Sequence, residues 1–288
     1  TNSPISLPLP ALSYDYEDLN FILFQDEFVT SSMTISNSGE EGSLLSYSVS
    51  KTGVTPFEVI GGNDSYGNVW SDSNLDNAIE YNWIDILGLG TQLVFSHNDV
   101  ADEPIDMGFD FSFYGENYDQ LIVNPNGWIG FGEDNTAWSN TSLPSISAPK
   151  PAIFGFWDDL NPVSTDPSGC PEGIGNVFYH SFDDMFVVWF DNVSRCTSNA
   201  DYSGLFDFQF VLHNNGDIDL NYREMTGNLT SSTIGMQNGS GTYGFLVIYD
   251  GVYGQSQLSL KYRMLDDVDW LELDGELFGD LNHGESTE

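Results

Sequence analysis

Short apolar runs, each about the length of one strand, set the pattern of this chain. "NVFYHS" (176–181), "MFVVWFDNV" (185–193), "LFDFQFVLH" (205–213), "DIDLNYREM" (217–225), "GFLVIYDG" (244–251) and "LSLKYRM" (258–264) are rich in aromatic and β-branched residues, and turn formers bound them. Within them apolar and polar positions alternate. Phe206, Phe208 and Phe210 fall on one side of a strand, and Asp207 and Gln209 on the other. A period of two argues for strands, and helical periodicity is almost absent.

Turn chemistry agrees with that pattern. Asn215-Gly216 offers the positive φ angles of a tight hairpin, and Asp183-Asp184 marks a second one. In "GFDFSFYG" Phe109, Phe111 and Phe113 share one face while Asp110 and Ser112 share the other. Asn126-Gly127 then reads as a turn that sends Trp128 back along the sheet. The expected fold class is all-β, an antiparallel, aromatic-rich β-sandwich. The ends of the chain read differently from the middle. Residues 31–50 read as a strand, a polar turn and another strand, and residues 269–288 share the same punctuation by Ser, Gly and acids.

Composition narrows the partners. The 44 acidic residues face only 6 Lys and Arg, for a net charge of −38, so the surface is a negative field with few counter-charges. Phosphate binding needs clustered Lys and Arg, so nucleic acid is excluded as a partner. Anionic membrane surfaces are disfavoured for the same reason. No apolar run approaches the ~18 residues of a membrane span, which argues against membrane insertion. Aromatic residues make up 14% of the chain, enough to offset the entropy of ordering it despite the charge. Cys170 and Cys196 flank the 176–193 hairpin, which brings its ends together. A disulfide is expected, the alternative being two free thiols. The sequence starts at Thr1 without Met or a charged leader, the form expected of a processed, extracellular or cell-surface protein.

Candidate chemistry is sparse. The four histidines (His97, His180, His213, His283) are scattered, and none stands in a metalloprotease motif or beside a nucleophile. His213, next to the Asn-Gly turn, is read as a solvent-facing strand end. Two acidic loops suit Ca²⁺, which takes oxygen ligands from alternate acidic or amide residues. Asp72, Asn74 and Asp76 stand at i, i+2 and i+4 with Glu80 four further on; Asp158, Asp159 and Asn161 form the second set, with Asp166 as an added ligand. The alternative for both is a solvated acidic loop. Asp158 and Asp159 do not form a glycosidase pair by themselves, because neighbours on a strand point to opposite faces. Trp70, Trp83, Trp128 and Trp157 read as core. Trp138, in the polar "EDNTAWSNTS" loop, is the ring expected to be exposed and to bind a ligand such as a glycan. Asn63, Asn140, Asn192, Asn228 and Asn238 stand in glycosylation sequons, which an Asn- and Ser-rich chain also produces by chance.

Six motifs in order carry a family resemblance: "YNWIDI" (81–86), "IDMGFDFSFYG" (105–115), "NPNGWIGFG" (124–132), "FGFWDDLNP" (154–162), "FQFVLHNNGDIDLNY" (208–222) and "STIGMQN" (232–238). Together they resemble the nidogen-like (NIDO) β-sandwich module of large secreted bacterial proteins. "TISNSGEEGSLLSYSVS" and "DWLELDGELFGDLNHGES" resemble the two parts of an immunoglobulin-like repeat of the ASH/BACON kind. The resemblance implies three segments: residues 1–60, an N-terminal arm with the first part of an immunoglobulin-like domain; 61–265, the nidogen-like sandwich; and 266–288, the second, incomplete part. It implies a non-catalytic, extracellular structural or adhesive module. Its expected partners are neighbouring domains or identical subunits, joined by strand donation from the arm "TNSPISLPLPALSY" into a fibre. The second reading is a carbohydrate- or substrate-binding accessory domain of a secreted hydrolase, and the third an enzyme.

Overall fold

The computed structural model describes residues 7–15, 30–49, 61–64, 66–76, 79–133, 136–163, 170–264, 276 and 278–288. Lys51, Asp166 and "DWLELDG" (269–275) lie outside the described residues. The fold is all-β, and every strand pairing is antiparallel. Among the described residues no helix is long and apolar enough to cross a membrane. Two compact units divide the chain: Thr1–Val54 with Asp266–Glu288, and Thr55–Leu265. Strands are numbered below in chain order.

In the end unit β1 (Leu12–Asp15), β2 (Thr34–Asn37) and β20 (Ser286–Thr287) form one sheet, and β3 (Leu44–Ser48) pairs with β19 (Phe278–Asn282). The "ISNSG" motif has a physical role here. The fully buried Asn37 donates from Nδ2 to the carbonyls of Ser43 (3.3 Å) and Leu281 (3.0 Å), and its Oδ1 accepts from the N–H groups of Ala11 and Gly39. One amide therefore ties the arm, the turn after β2 and the C-terminal strand together. At Gly39 a Cβ would stand 2.4 Å from the Leu9 carbonyl oxygen, which explains the glycine. The described part of the arm, residues 7–15, lies along its own chain through the β1–β2 ladder.

The larger unit is a two-sheet sandwich. Its six-stranded sheet runs β17 (Gly244–Tyr249), β16 (Thr233–Gln237), β10 (Ala152–Trp157), β9 (Trp128–Gly130), β8 (Glu116–Asn124), β7 (Ile105–Phe113). The nine-stranded sheet runs β4 (Gly62–Asn63), β5 (Asn68–Asp72), β18 (Leu258–Met264), β15 (Ile218–Gly227), β14 (Gly204–His213), β13 (Met185–Arg195), β12 (Asn176–Ser181), β6 (Thr91–Leu93), with β11 (Leu160–Asn161) beside β13. Both hairpins read from the sequence are present: His213 accepts from the Gly216 N–H at 2.9 Å, and Phe182 donates to the Met185 carbonyl at 2.8 Å.

Alternation fills the space between the sheets with rings. Phe111 and Phe113 of β7, Phe156 of β10, Phe190 of β13 and Phe206, Phe208 and Phe210 of β14 meet there, Phe190 stacked on Phe208 at 4.7 Å and Phe156 reaching Phe206 at 4.5 Å. Each such ring contributes about 1.5–3 kcal/mol by leaving water. Gly155 interrupts "FGFW" because the Phe210 ring occupies the space its Cβ would need, 2.5 Å away.

The outer faces are covered as well. Asp207 and Gln209, opposite the phenylalanines, do not face solvent: they are 1% and 0% exposed. The "YNWIDI" segment crosses over them. Gln209 holds it in both directions, accepting from the Ile84 N–H (2.9 Å) and donating to the Ile84 carbonyl (3.0 Å), while Ser259 Oγ accepts from the Asn82 N–H. Gln209, Asn221 and Ser259 lie in register across β14, β15 and β18 and bond to one another side by side. On the other sheet, Trp128, Phe154 and Trp157 bury their outward side chains with Leu143 and Ala148 of the segment between β9 and β10. Strand β10 is therefore buried at all six positions.

Candidate functional site

Cations are scarce, and the sheet holds most of them. Four of the six basic residues stand on β13, β15 and β18, and each faces an aspartate: Arg195–Asp158 (2.5 Å), Arg223–Asp207 (2.6 Å), Lys261–Asp219 (3.1 Å) and Arg263–Asp217 (3.5 Å). Arg223 also lies against the faces of Trp83 and Trp189, 4.6 and 4.9 Å from their centroids. Burial pushes the Asp207 carboxyl above the usual carboxylate range, against hydrogen bonds from Trp189 and Arg223. At Asp219 burial also acts upward, but the His213 hydrogen bond and the Lys261 charge outweigh it and hold the group below that range. His213, the last residue of β14, is partly exposed, and its Nε2 lies 3.2 Å from Asp219 Oδ2.

The Asp158 corner joins several segments through polar contacts. Here β10 ends after Trp157, the chain bends through Asp158 and Asp159, and β11 begins. Asp158 Oδ2 accepts from Arg195 and from Ser231 Oγ (2.7 Å), and its Oδ1 accepts from the Asp159 N–H (2.9 Å). Arg195 continues outward, donating to the carbonyls of Tyr202 and Asn228 and stacking 5.0 Å from the Phe206 centroid. Asn161 is fully buried, with Oδ1 on the Val163 N–H and Nδ2 on the Pro171 carbonyl. Asp159 accepts the Cys196 N–H on its carbonyl, and Cys196 is joined to Cys170 in a disulfide with Cα atoms 5.3 Å apart. Among the described residues Asp159 and these two cysteines are the one cluster of three metal-ligand types, and the disulfide takes both sulfurs.

The Asp72 loop is built differently. Asp72, 2% exposed, accepts on Oδ1 from the N–H groups of Asn74 (2.7 Å) and Leu75 (2.8 Å), and on Oδ2 from the Tyr253 hydroxyl. Burial first, and then Asp72, raise the Tyr253 hydroxyl far above its ordinary value. Asp76 is buried beside it, whereas Asn74 and Glu80 are exposed.

Trp138 is 51% exposed, while Trp70, Trp128 and Trp157 are buried and Trp83 half-buried. Its loop is braced from beneath, because the indole N–H groups of Trp128 (2.9 Å) and Trp157 (3.2 Å) both donate to the Ala137 carbonyl. Two residues on, Asn140 Nδ2 donates to the Ser231 carbonyl (2.7 Å), Thr233 Oγ1 and Asp250 Oδ1. Beyond Ser231 opens a depression of about 420 Å³, lined by Asp201, Ser203, Asn228, Leu229, Thr230 and Val252 among others.

Residues 75–258, more than half of the 288 and a span that includes all six motifs, match the family model described as NIDO related. The chain belongs to the NIDO-related family. No curated protein and no solved structure matches it. The match begins in the Asp72 loop and ends in β18, so the NIDO-related segment holds the Asp158 corner, the disulfide and the Trp138 loop together. Within it the sequons differ in their surroundings. Asn140 and Asn228 donate their side-chain nitrogens to backbone carbonyls, and Asn192 donates to Asp191 at a φ of 51°. Asn238 accepts on Oδ1 in an exposed turn, and Asn63, on β4 just before the matched segment, is exposed. Sequence reasoning missed Arg195, Ser231 and Tyr253. The available signal was scarcity: in a chain with six cations, an Arg inside an aromatic strand demands a buried partner.

Proposed function

We propose that this NIDO-related chain is a non-catalytic extracellular module, structural or adhesive, of a secreted or cell-surface protein. One observation carries the reading: the carboxylates best placed for chemistry have protein donors on both oxygens, Asp158 from Arg195, Ser231 and a backbone N–H, Asp72 from Tyr253 and two backbone N–H groups. A general base needs an oxygen open to substrate. The chain ends are read as the two parts of an ASH/BACON-type immunoglobulin-like repeat. Self-assembly by strand donation requires β1 to leave β2, so an exchanged fibre competes with the intrachain ladder. The second reading, a glycan-binding accessory domain, is favoured by the exposed Trp138 on its braced loop. The test is to coat beads with the protein and measure their retention on cell-envelope and polysaccharide surfaces, while assaying glycosidic and ester hydrolysis in the same samples. Retention without turnover is expected. Turnover that disappears in Asp158→Asn overturns the proposal.

A further inference from the structure

The Trp138 loop and the depression beside Ser231 share their supports. Asn140 bonds to the Ser231 carbonyl and to Asp250, and those two segments carry on into Thr230 on one side and Val252 on the other, which line the depression. Its walls are fixed by internal bonds. Asn228 Nδ2 donates to the Asp201 carbonyl (3.0 Å), Thr230 Oγ1 donates to Asn228 Oδ1 (2.7 Å), and Arg195 anchors the Tyr202 and Asn228 carbonyls from beneath. A ligand therefore meets groups that are already ordered, which lowers the entropy cost of binding.

We propose that Trp138 and this depression form one binding site for an uncharged hexose chain. Trp138, 51% exposed and following Ala137, whose carbonyl two buried tryptophans hold, offers the flat apolar face of an indole to the C–H side of a pyranose ring. The depression supplies what the neighbouring sugar needs: apolar surface from Leu229 and Val252, and acceptors and hydroxyls from Asp201, Ser203 and Thr230. Its volume of about 420 Å³ falls within the ~300–1,000 Å³ typical of small-ligand sites. Charge selects among glycans. Asp201 and Asp250 stand at the site, Arg195 is bound to Asp158, and the chain carries −38, so uronic and sulfated chains are repelled.

This site rests on the second reading above, and one experiment separates the two. The whole chain is titrated with neutral hexasaccharides (cello-, malto-, manno- and laminari-hexaose) and with hexagalacturonate, by calorimetry and tryptophan fluorescence, and the sugars are then sized by chromatography. At least one neutral chain should bind saturably, and hexagalacturonate should not. Trp138→Ala should weaken binding at least tenfold, and Val252→Arg, which fills the depression from an exposed position, should do the same; both should melt as the wild type does. Absence of binding by every neutral chain at millimolar concentration, equal binding of hexagalacturonate, or retained affinity in either variant overturns the site. Shortened sugar products would instead overturn the non-catalytic function.

Discussion

The Asp72 loop and the Asp158 corner look alike in sequence, each with Asp and Asn at close spacing on the end of a strand, yet they are held by different physics. At Asp158 a buried carboxylate faces a buried guanidinium; at Asp72 it faces a phenol and two backbone N–H groups. The reason lies in the supply of cations. With six Lys and Arg for 44 acids, few carboxylates can be buried against a cation, and the others that go inside must collect neutral donors. Asp64 repeats the second solution, accepting from the N–H groups of Tyr66, Gly67 and Asn68 on one oxygen and from Tyr114 Oη (2.7 Å) on the other. Charged and neutral donors do not cost the same to remove, and that difference is measurable.

The ion pair should be the more fragile of the two. Arg195→Ala leaves Asp158 buried without its cation and unlatches the Tyr202 and Asn228 segments, so it should destabilise by about 3–5 kcal/mol in urea unfolding. A loss under ~1 kcal/mol would place the pair in the class of surface contacts and erase the contrast. Next in size is the disulfide, which braces this corner through the Cys196–Asp159 backbone bond. Cys170→Ser with Cys196→Ser should cost about 2–4 kcal/mol. Arg195→Ala added on top should then fall short of the sum, because the two changes loosen one segment.

The sandwich was legible for a plain reason. Alternation in "FDFQFVL" and the Asn-Gly turn are local signals, and they fix which rings face inward before any partner is known. The second layer was not legible. Nothing local in "YNWIDI" says that it is held by Gln209 and Ser259, because that placement depends on side chains 125 and 177 residues away in sequence. The acidic loops show the same limit. Spacing picked out carboxylates close together in sequence, but whether each serves a metal, a phenol or an arginine depends on non-local partners. Trp138 could be read because its loop is polar for several residues on both sides, which leaves a ring no core to enter.

A smaller effect is expected at the neutral site. Tyr253→Phe removes one donor and leaves a buried carboxylate oxygen of Asp72 short of a partner, a loss of about 1–3 kcal/mol near neutral pH. The raised Tyr253 hydroxyl adds a pH signature. The folded chain keeps this proton where the unfolded chain gives it up, so the contribution is fully present below pH ~10 and is lost as pH rises toward the folded value. The gap between wild type and Tyr253→Phe should therefore narrow above pH ~10, by up to about 1.4 kcal/mol per pH unit. A gap that stays constant to alkaline pH would mean that the hydroxyl is solvated in the folded protein.

Calcium should give the smallest effect, and it tests both loops at once. An ion at Asp72 must displace the Tyr253 hydroxyl or two backbone N–H groups. An ion at Asp158 must compete with Arg195, whose charge it would have to sit beside. Either exchange trades a formed contact for a new one, which leaves little net stabilisation. What remains for a divalent cation is screening of the −38 surface, and screening does not distinguish one divalent ion from another. Ca²⁺ and Mg²⁺ at equal ionic strength should therefore raise the melting temperature alike. A saturable rise with Ca²⁺ alone that vanishes in Asp76→Asn or Asp159→Asn would show that exposed ligands, such as Asn74 and Glu80, close over an ion beside these internal bonds. The two loops would then differ from their sequence reading only in which oxygens do the binding.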